Sequence, residues 1–354
     1  MAKNKKEESP DTDSRSSDGL KSLWRLVSEY LPQIFFEGME FLYNFYGYFQ
    51  LKKALKRDNY DLIYERYALN TFFAAILSRR FGLPLVLEIN DATVIERSRP
   101  LILKRVSAAI EKWIFGRANL LITITNHFKQ LIVDNHKVDP GKILVTPNAI
   151  NPDRFRLDPL DRPNREREIR DAFKIDSDFI AGCVGAFVPW HGLEFMLKSL
   201  HDIIEEYNVH ILCVGDGPVR PDIEQLAIKL GIPHRLSFTG FIDAEEVPRF
   251  IDIMDMCLIP GSNHHCSPVK LFEYMAMGKP TVLPRYGPLL DTIVDGNQGL
   301  FFDPEDAAGF RDCVISLLKD EKLRFRLGKN ANHTVYEKHT WENNARRILK
   351  SVNN

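Results

Sequence analysis

The sequence predicts an α/β protein made of two doubly wound, Rossmann-like domains, the first of them shortened at its amino end. Three observations lead there. The 354 residues suit about two domains of ordinary size. From residue 60 onward, short apolar runs alternate with longer amphipathic ones, which is the signature of βαβ units around a parallel sheet. The alternation stops over 151–177, a stretch rich in Pro, Asp and Arg, and then restarts.

Composition narrows the class. Apolar residues at 44%, charged residues at 27%, 20 Gly and 20 Pro describe a globular chain, not a disordered, collagenous or disulfide-stapled one. Lys plus Arg at 47 against Asp plus Glu at 48 gives a formal charge of −1, so no global charge draws the chain to nucleic acid. The five cysteines are scattered and lack CxxC spacing, and they read as reduced thiols. Residues 1–18 are charged and Ser-rich with no apolar h-region. They predict a disordered tail and a cytoplasmic protein.

Within residues 19–56, the run from Tyr30 to Phe49 carries nine aromatics. Two readings stay open. In one, helices broken near Pro32 and Gly38 cover a sheet, a reading favoured by Glu29, Glu37 and Glu40 inside the aromatic run. In the other, an interfacial helix places its aromatics in a bilayer beside Lys52, Lys53, Lys56 and Arg57, as a peripheral contact at the inner membrane face.

The first domain then reads as strand Leu62–Tyr64, helix 68–80, strand Leu83–Ile89, helix 100–117, strand Leu120–Ile124, helix 126–136 and strand Lys142–Val145. Only four strand candidates precede the linker, and no Gly-rich turn opens the domain. The second domain reads as strands Phe179–Val184, Val209–Val214, Leu236–Phe238, Met256–Ile259, Thr281–Leu283 and Leu300–Phe302, with helices between them and two long helices at the end. The expected boundaries are a tail 1–18, an amino-terminal domain 19–150, a linker 151–177, a carboxy-terminal domain 178–335 and a terminal helix 336–354.

The most informative segment is Ser267-Pro-Val-Lys-Leu-Phe-Glu-Tyr-Met-Ala-Met-Gly-Lys-Pro280. Ser267 is a preferred N-cap, and Pro268 suits the first helical position. Leu271, Phe272, Met275 and Ala276 form an apolar stripe, and Gly278 suits a left-handed C-terminal residue. The amino end of such a helix binds phosphate readily. Lys270 places a cation in the first turn, where the helix dipole disfavours it, so it reads either as a diphosphate ligand or as an i,i+3 partner of Glu273. Glu273 could accept two ribose hydroxyls.

With these residues in hand, the chain from about residue 60 onward resembles the retaining, GT-B-fold glycosyltransferases of family 4, the group 1 glycosyltransferases. The resemblance also rests on Val145-Thr-Pro-Asn-Ala-Ile-Asn-Pro-Asp-Arg-Phe155, Val214-Gly-Asp-Gly-Pro218, Phe238-Thr-Gly-Phe-Ile242, Gly299-Leu-Phe-Phe-Asp-Pro304 and Thr340-Trp341. It implies two domains facing a cleft and transfer of a hexose from a UDP- or GDP-linked donor to a glycan or lipid-linked acceptor, with retention of configuration. A cell-surface polysaccharide or glycoconjugate is the implied product class. Neither a metal nor an organic cofactor is implied.

By the same resemblance, Glu273 binds the ribose and the backbone amides of the helix start Ser267–Lys270 take the diphosphate, with Val269 and Lys270 donating and Pro268, which has no N–H, lining the turn. The base lies near Gly240 and Ile242. His265 stands where the family's second acid contacts the donor sugar. In Gly185-Ala-Phe-Val-Pro-Trp-His-Gly192, Ala186 and His191 replace the family's Arg and Lys, which shifts phosphate charge onto Lys270. The catalytic set is therefore Lys270, His191 and His265, with Gly185 in the donor loop. Asn90 and Asp91 occupy the acceptor-side loop, where an Asx turn after a strand is the competing reading. The substituted His265 and the short first domain keep a second functional reading open: a donor-binding, inactive partner subunit.

Two other signals resolve differently. Gly215-Asp-Gly-Pro-Val-Arg220 fails as a dinucleotide fingerprint because Arg220 stands at the third Gly position. His264-His265-Cys266 lacks the paired spacing of a zinc site.

Overall fold

The computed structural model describes residues 33–95, 101–263 and 267–352. The predicted tail, the first part of the aromatic segment and His265 lie outside them. The chain divides into two compact units: Met1–Leu85 with Asp91–Ala118, and Val86–Asn90 with Asn119–Asn354.

The first unit carries helix α1 (Gln33–Arg57), strand β1 (Ile63–Arg66), helix α2 (Phe73–Phe81) and helix α3 (Lys104–Arg117). α2 starts later than the expected 68–80. Asn70 sits in the left-handed region at φ 60, and its side-chain amide donates to Glu40 at 2.9 Å. The turn thus interrupts what the apolar pattern joined. Inside the unit, Tyr67 and Phe115 meet edge to face at 5.3 Å. The expectation that the aromatic helix buries its rings on a sheet is corrected. α1 packs on α2, and most of its aromatics point outward.

The second unit contains β2 (Leu85–Ile89), whose first residue belongs to the other unit, and then β3 (Leu120–Thr123), α4 (Asn126–His136) and β4 (Ile143–Val145). These strands lie side by side in the order β2-β3-β4, with parallel registers Val86↔Leu120 and Leu121↔Ile143. The expected linker contains a helix, α5 (Arg162–Phe173). Its charge hid its period. Ile169 is buried, and Arg165 is almost fully enclosed by a 2.6 Å pair with Asp252.

The larger sheet comprises β5 (Phe179–Val184), β6 (Val209–Val214), β7 (Leu236–Phe238), β8 (Met256–Leu258), β9 (Thr281–Pro284) and β10 (Leu300–Phe302). Its order is β10-β9-β8-β5-β6-β7, and every pairing is parallel. Between the strands run α6 (Leu193–Glu206), α7 (Arg220–Lys229), α8 (Val247–Asp252), α9 (Val269–Ala276) and α10 (Gly287–Leu290). After β10 come α11 (Ala307–Lys319), α12 (Glu321–Lys338) and α13 (Trp341–Val352). Strand order reverses between β5 and β8, and crevices that hold ligands form at such a reversal.

Two features join the smaller strands to this body. Ile348 and Val352 of α13 pack on Val86, Leu120 and Ile122 of β2 and β3. The Asn344 side chain donates to the Pro147 carbonyl at 2.9 Å, and Ile150 bridges Thr340. The terminal helix thus returns to cover strands laid down early in the chain.

Candidate functional site

At the reversal lies a cavity of about 420 Å³. Three segments line it: Val184–Ala186 leaving β5, Ile259–Asn263 following β8, and the first two turns of α9. Trp190 and His191 add a wall from the Val188–Gly192 turn. That turn and the Ile259–Asn263 segment approach backbone to backbone. A Cβ on Gly192 would stand 2.9 Å from the Gly261 nitrogen, and one on Gly261 would stand 2.5 Å from the Trp190 carbonyl oxygen. Gly192 also sits at φ +74, so glycine is demanded there by both space and backbone.

Helix α9 is apolar around nearly its whole circumference. Leu271, Phe272, Tyr274 and Met275 have no exposure, and the Tyr274 hydroxyl accepts the Val184 N–H at 2.7 Å. That bond ties the helix to the end of β5. Gly278 takes the expected left-handed conformation at φ +64. Ser267 does not cap the helix as expected. Pro268 occupies the N-cap position without a side-chain cap. The Ser267 hydroxyl instead accepts the Asn148 N–H at 3.1 Å, and its carbonyl accepts the Asn148 side-chain amide at 2.6 Å. A segment far away in sequence has claimed the hydroxyl, so among the described residues no side chain at the N-cap position caps α9. An uncapped helix start is a ready anion site.

Lys270 and His191 meet beside Gly185. A Cβ built on Gly185 would lie 3.1 Å from Lys270 Nζ and 3.3 Å from His191 Cε1. Burial holds the Lys270 ammonium below its ordinary range, against the pull of Cys183 and Glu273. Burial, reinforced by Lys270, lowers His191 to about 4, so the ring is neutral at pH 7. Its Nδ1 is buried and has no hydrogen-bond partner among the described residues. A neutral imidazole with a spare nitrogen, next to a desolvated ammonium, is poised for an anionic oxygen.

Glu273 is buried, and its ion-pair partner is Arg154 at 3.6 Å, not Lys270. The Arg154 guanidinium also donates to the Ala244 carbonyl, while its Nε is buried with no hydrogen-bond partner among the described residues. Burial raises the Glu273 carboxyl above its usual range, opposed by Arg154 and then by Lys270.

The cavity therefore unites Gly185, His191, Ser267, Pro268, Val269, Lys270 and Glu273. Gly240 and Ile242 are not among its lining. Gly240 follows β7 at φ +72 and bridges Gly215, and Ile242 packs on the core. Asn90 ends β2 and donates to Glu88 at 2.6 Å, so its amide folds back along its own strand, and Asp91 follows it. Three residues went unassigned by sequence reasoning: Arg154, Trp190 and Phe241. Trp190 is 58% exposed at the cavity, and Phe241 is 88% exposed between Gly240 and Ile242. Exposed aromatics beside a loop glycine were the available signal.

Residues 11–154 match the family described as Glycosyltransferase Family 4, and residues 164–334 match Glycosyl transferases group 1. The chain belongs to the group 1, family 4 glycosyltransferases. Among the relatives of this glycosyltransferase is the alpha-D-kanosaminyltransferase of Streptomyces kanamyceticus, 25% identical over 73% of this chain and 68% of its own. Another is the N-acetyl-alpha-D-glucosaminyl L-malate synthase of Bacillus anthracis, 27% identical over 88% and 81%. The crystal structure of Anabaena HepE in complex with UDP superposes with a TM-score of 0.70 at 19% identity, over 83% of this chain and 79% of that one. The glycosyltransferase fold is GT-B, with Rossmann-like parallel sheets. Among the described residues, no helix is long and apolar enough to cross a membrane.

Proposed function

We propose that the protein transfers a hexose from a UDP- or GDP-linked donor to a glycan or lipid-linked acceptor, with retention of configuration, in the synthesis of a cell-surface polysaccharide or glycoconjugate. The observation that carries this reading is the convergence of Lys270, His191 and the uncapped start of α9 on one cavity, one helical turn from Glu273. A departing nucleoside diphosphate develops negative charge, and preorganised amides with a desolvated ammonium stabilise it. Glu273 accepts the ribose hydroxyls, which orients the nucleotide so that its phosphates meet the helix start. Phe241 offers a face for the base. The Anabaena structure, similar in fold, was solved with UDP, and the kanosaminyltransferase carries a sugar transfer in its name.

Retention needs no protein nucleophile in this scheme. The leaving phosphate oxygen accepts the proton of the incoming hydroxyl on the same face of the sugar. The bond from anomeric carbon to phosphate oxygen breaks as the bond to the acceptor oxygen forms. Asn90 and Asp91 are assigned to the acceptor side.

Incubation with UDP-, GDP- and ADP-sugars, with and without membrane extract as acceptor, tests the proposal. The expected result is acceptor-stimulated release of one nucleotide and an axial anomeric linkage from an α-linked donor. Nucleotide binding without turnover on any donor would favour the inactive, donor-binding subunit instead.

A further inference from the structure

Helix α1 is built inside out. The residues it buries are Glu37, Asn44 and Gly47. Its large side chains face away: Leu42, Phe45, Tyr46 and Phe49 are 65%, 68%, 61% and 65% exposed. Three polar groups of the helix, Glu37, Glu40 and Asn44, are used internally. The Glu37 carboxylate accepts the N–H groups of Ile102 and Leu103 at 2.7 and 2.9 Å, just ahead of α3. Glu40 accepts the Asn70 amide, and Asn44 accepts the N–H groups of Phe72 and Phe73 while donating to the Asn70 carbonyl. Of the acids that argued against an interfacial helix, Glu37 and Glu40 are internal acceptors.

The neighbouring helices follow the same rule. α2 has no acidic residue. The acid of α3, Glu111, has no exposure and holds Thr93 and Tyr67. Outward charge on the three helices is basic: Lys53, Lys56, Arg79, Arg80, Lys104 and Arg105 are all exposed. Asp58, one residue beyond α1, is paired with Arg57 at 2.7 Å. Two apolar hollows lie on this surface. One is formed with Phe45 and Phe49, the other with Val106 and Trp113, and they share Phe72 and Ile76. The apolar surface is therefore continuous across α1, α2 and α3. Contiguous exposed apolar area of this kind marks an interaction site.

We propose that this face seats the protein on an anionic lipid bilayer. Charge decides between occupants. Exposed rings flanked by Lys and Arg, with every carboxylate of the three helices drawn inward, match the boundary between acyl chains and anionic headgroups. The lysine stems lie along the apolar surface while their ammonium groups reach the headgroups.

The test is sedimentation of the full chain with vesicles of phosphatidylcholine mixed with phosphatidylglycerol, and with vesicles of phosphatidylcholine alone. Binding to the mixed vesicles is expected, weakened at least about tenfold on the neutral ones and by high salt. The double variant F45S/F49S should lose at least about tenfold in partitioning with an unchanged unfolding midpoint, since both rings are exposed. K53Q/K56Q should give a smaller loss. Failure to sediment with either vesicle, or equal binding to both, overturns the proposal. So does a dimer in light scattering that F45S/F49S splits, because the face would then belong to a second copy.

Discussion

The Arg154 guanidinium lies 3.6 Å from the Glu273 carboxylate, so the segment after β4 and the second turn of α9 are held by one charge pair beside the α9 cavity. Both side chains are largely enclosed, at 22% and 10% exposure. Burial alone would push Glu273 toward its neutral form, and Arg154 is the larger of the two cations opposing that. The pair thus opposes the neutral form of the carboxylate that the proposed function assigns to the ribose hydroxyls.

Arg154→Met should move the acid limb of nucleotide binding to higher pH, because removing the guanidinium lets burial raise the Glu273 carboxyl further. Isothermal titration with UDP and GDP from pH 5 to pH 8 reads this. An unmoved limb would mean that Arg154 only braces the backbone at Ala244. Stability should fall by about 1–3 kcal/mol, since a mostly buried carboxylate loses its partner.

Glu273→Ala should weaken nucleotide binding by about 1–3 kcal/mol, the scale of hydrogen bonds to a charged group. Calorimetry on the folded variant decides it. Affinity equal to that of the parent would reduce Glu273 to a structural partner of Arg154.

The parts of this fold that were readable from sequence are those whose stabilising partners are local or whose burial is complete. β6 is enclosed on both faces and is spelled as an apolar run interrupted only by the buried His210, so its boundaries match the expectation. α4 begins at a Thr125 hydroxyl that accepts the Phe128 N–H, a signal contained within four residues. The harder cases depend on distant partners. Ser267 looks like a cap until Asn148 takes its hydroxyl. α5 has little apolar period because a buried Arg165–Asp252 pair stands in for one. α1 shows that alternation of ring and acid does not say which face turns inward. Glu37 is buried because a neighbouring helix start needs an acceptor. The site behaves likewise: Lys270 and Glu273 were found from one helix, whereas Arg154 required the fold.

Glu65 offers a test of buried charge in the first unit. Burial raises its carboxyl from 4.5 to about 7, with a Thr71 hydrogen bond opposing. A raised folded-state value favours the protonated folded form. That contribution is fully present below about 4.5 and is lost as pH rises through about 7. Glu65→Gln removes the dependence. The variant should gain about 1–3 kcal/mol over the parent between pH 5 and pH 8, read as the difference in urea midpoints. Parallel pH curves for the two proteins would place Glu65 in ordinary solvent contact.

Lys270→Met concerns the leaving group itself. The sequence alone offered a diphosphate ligand or an i,i+3 partner of Glu273; the ammonium lies against Gly185 and His191, and burial lowers its pKa. Met retains the length of the stem and removes the charge. Turnover should drop by at least about 10²-fold, on the scale of losing one preorganised stabiliser of developing charge. Folding stability should hold or rise by about 1 kcal/mol, because a desolvated ammonium without a close carboxylate costs energy in the folded state. A second readout separates charge from packing. Lys270 is the lesser of the two causes that hold His191 near 4, so the variant should let the imidazole titrate higher, visible in its carbon-bound proton resonances. A variant with parental turnover would leave the phosphate to the α9 amides and to His191. A variant with lost turnover but an unmoved His191 would place the ammonium elsewhere than beside the ring.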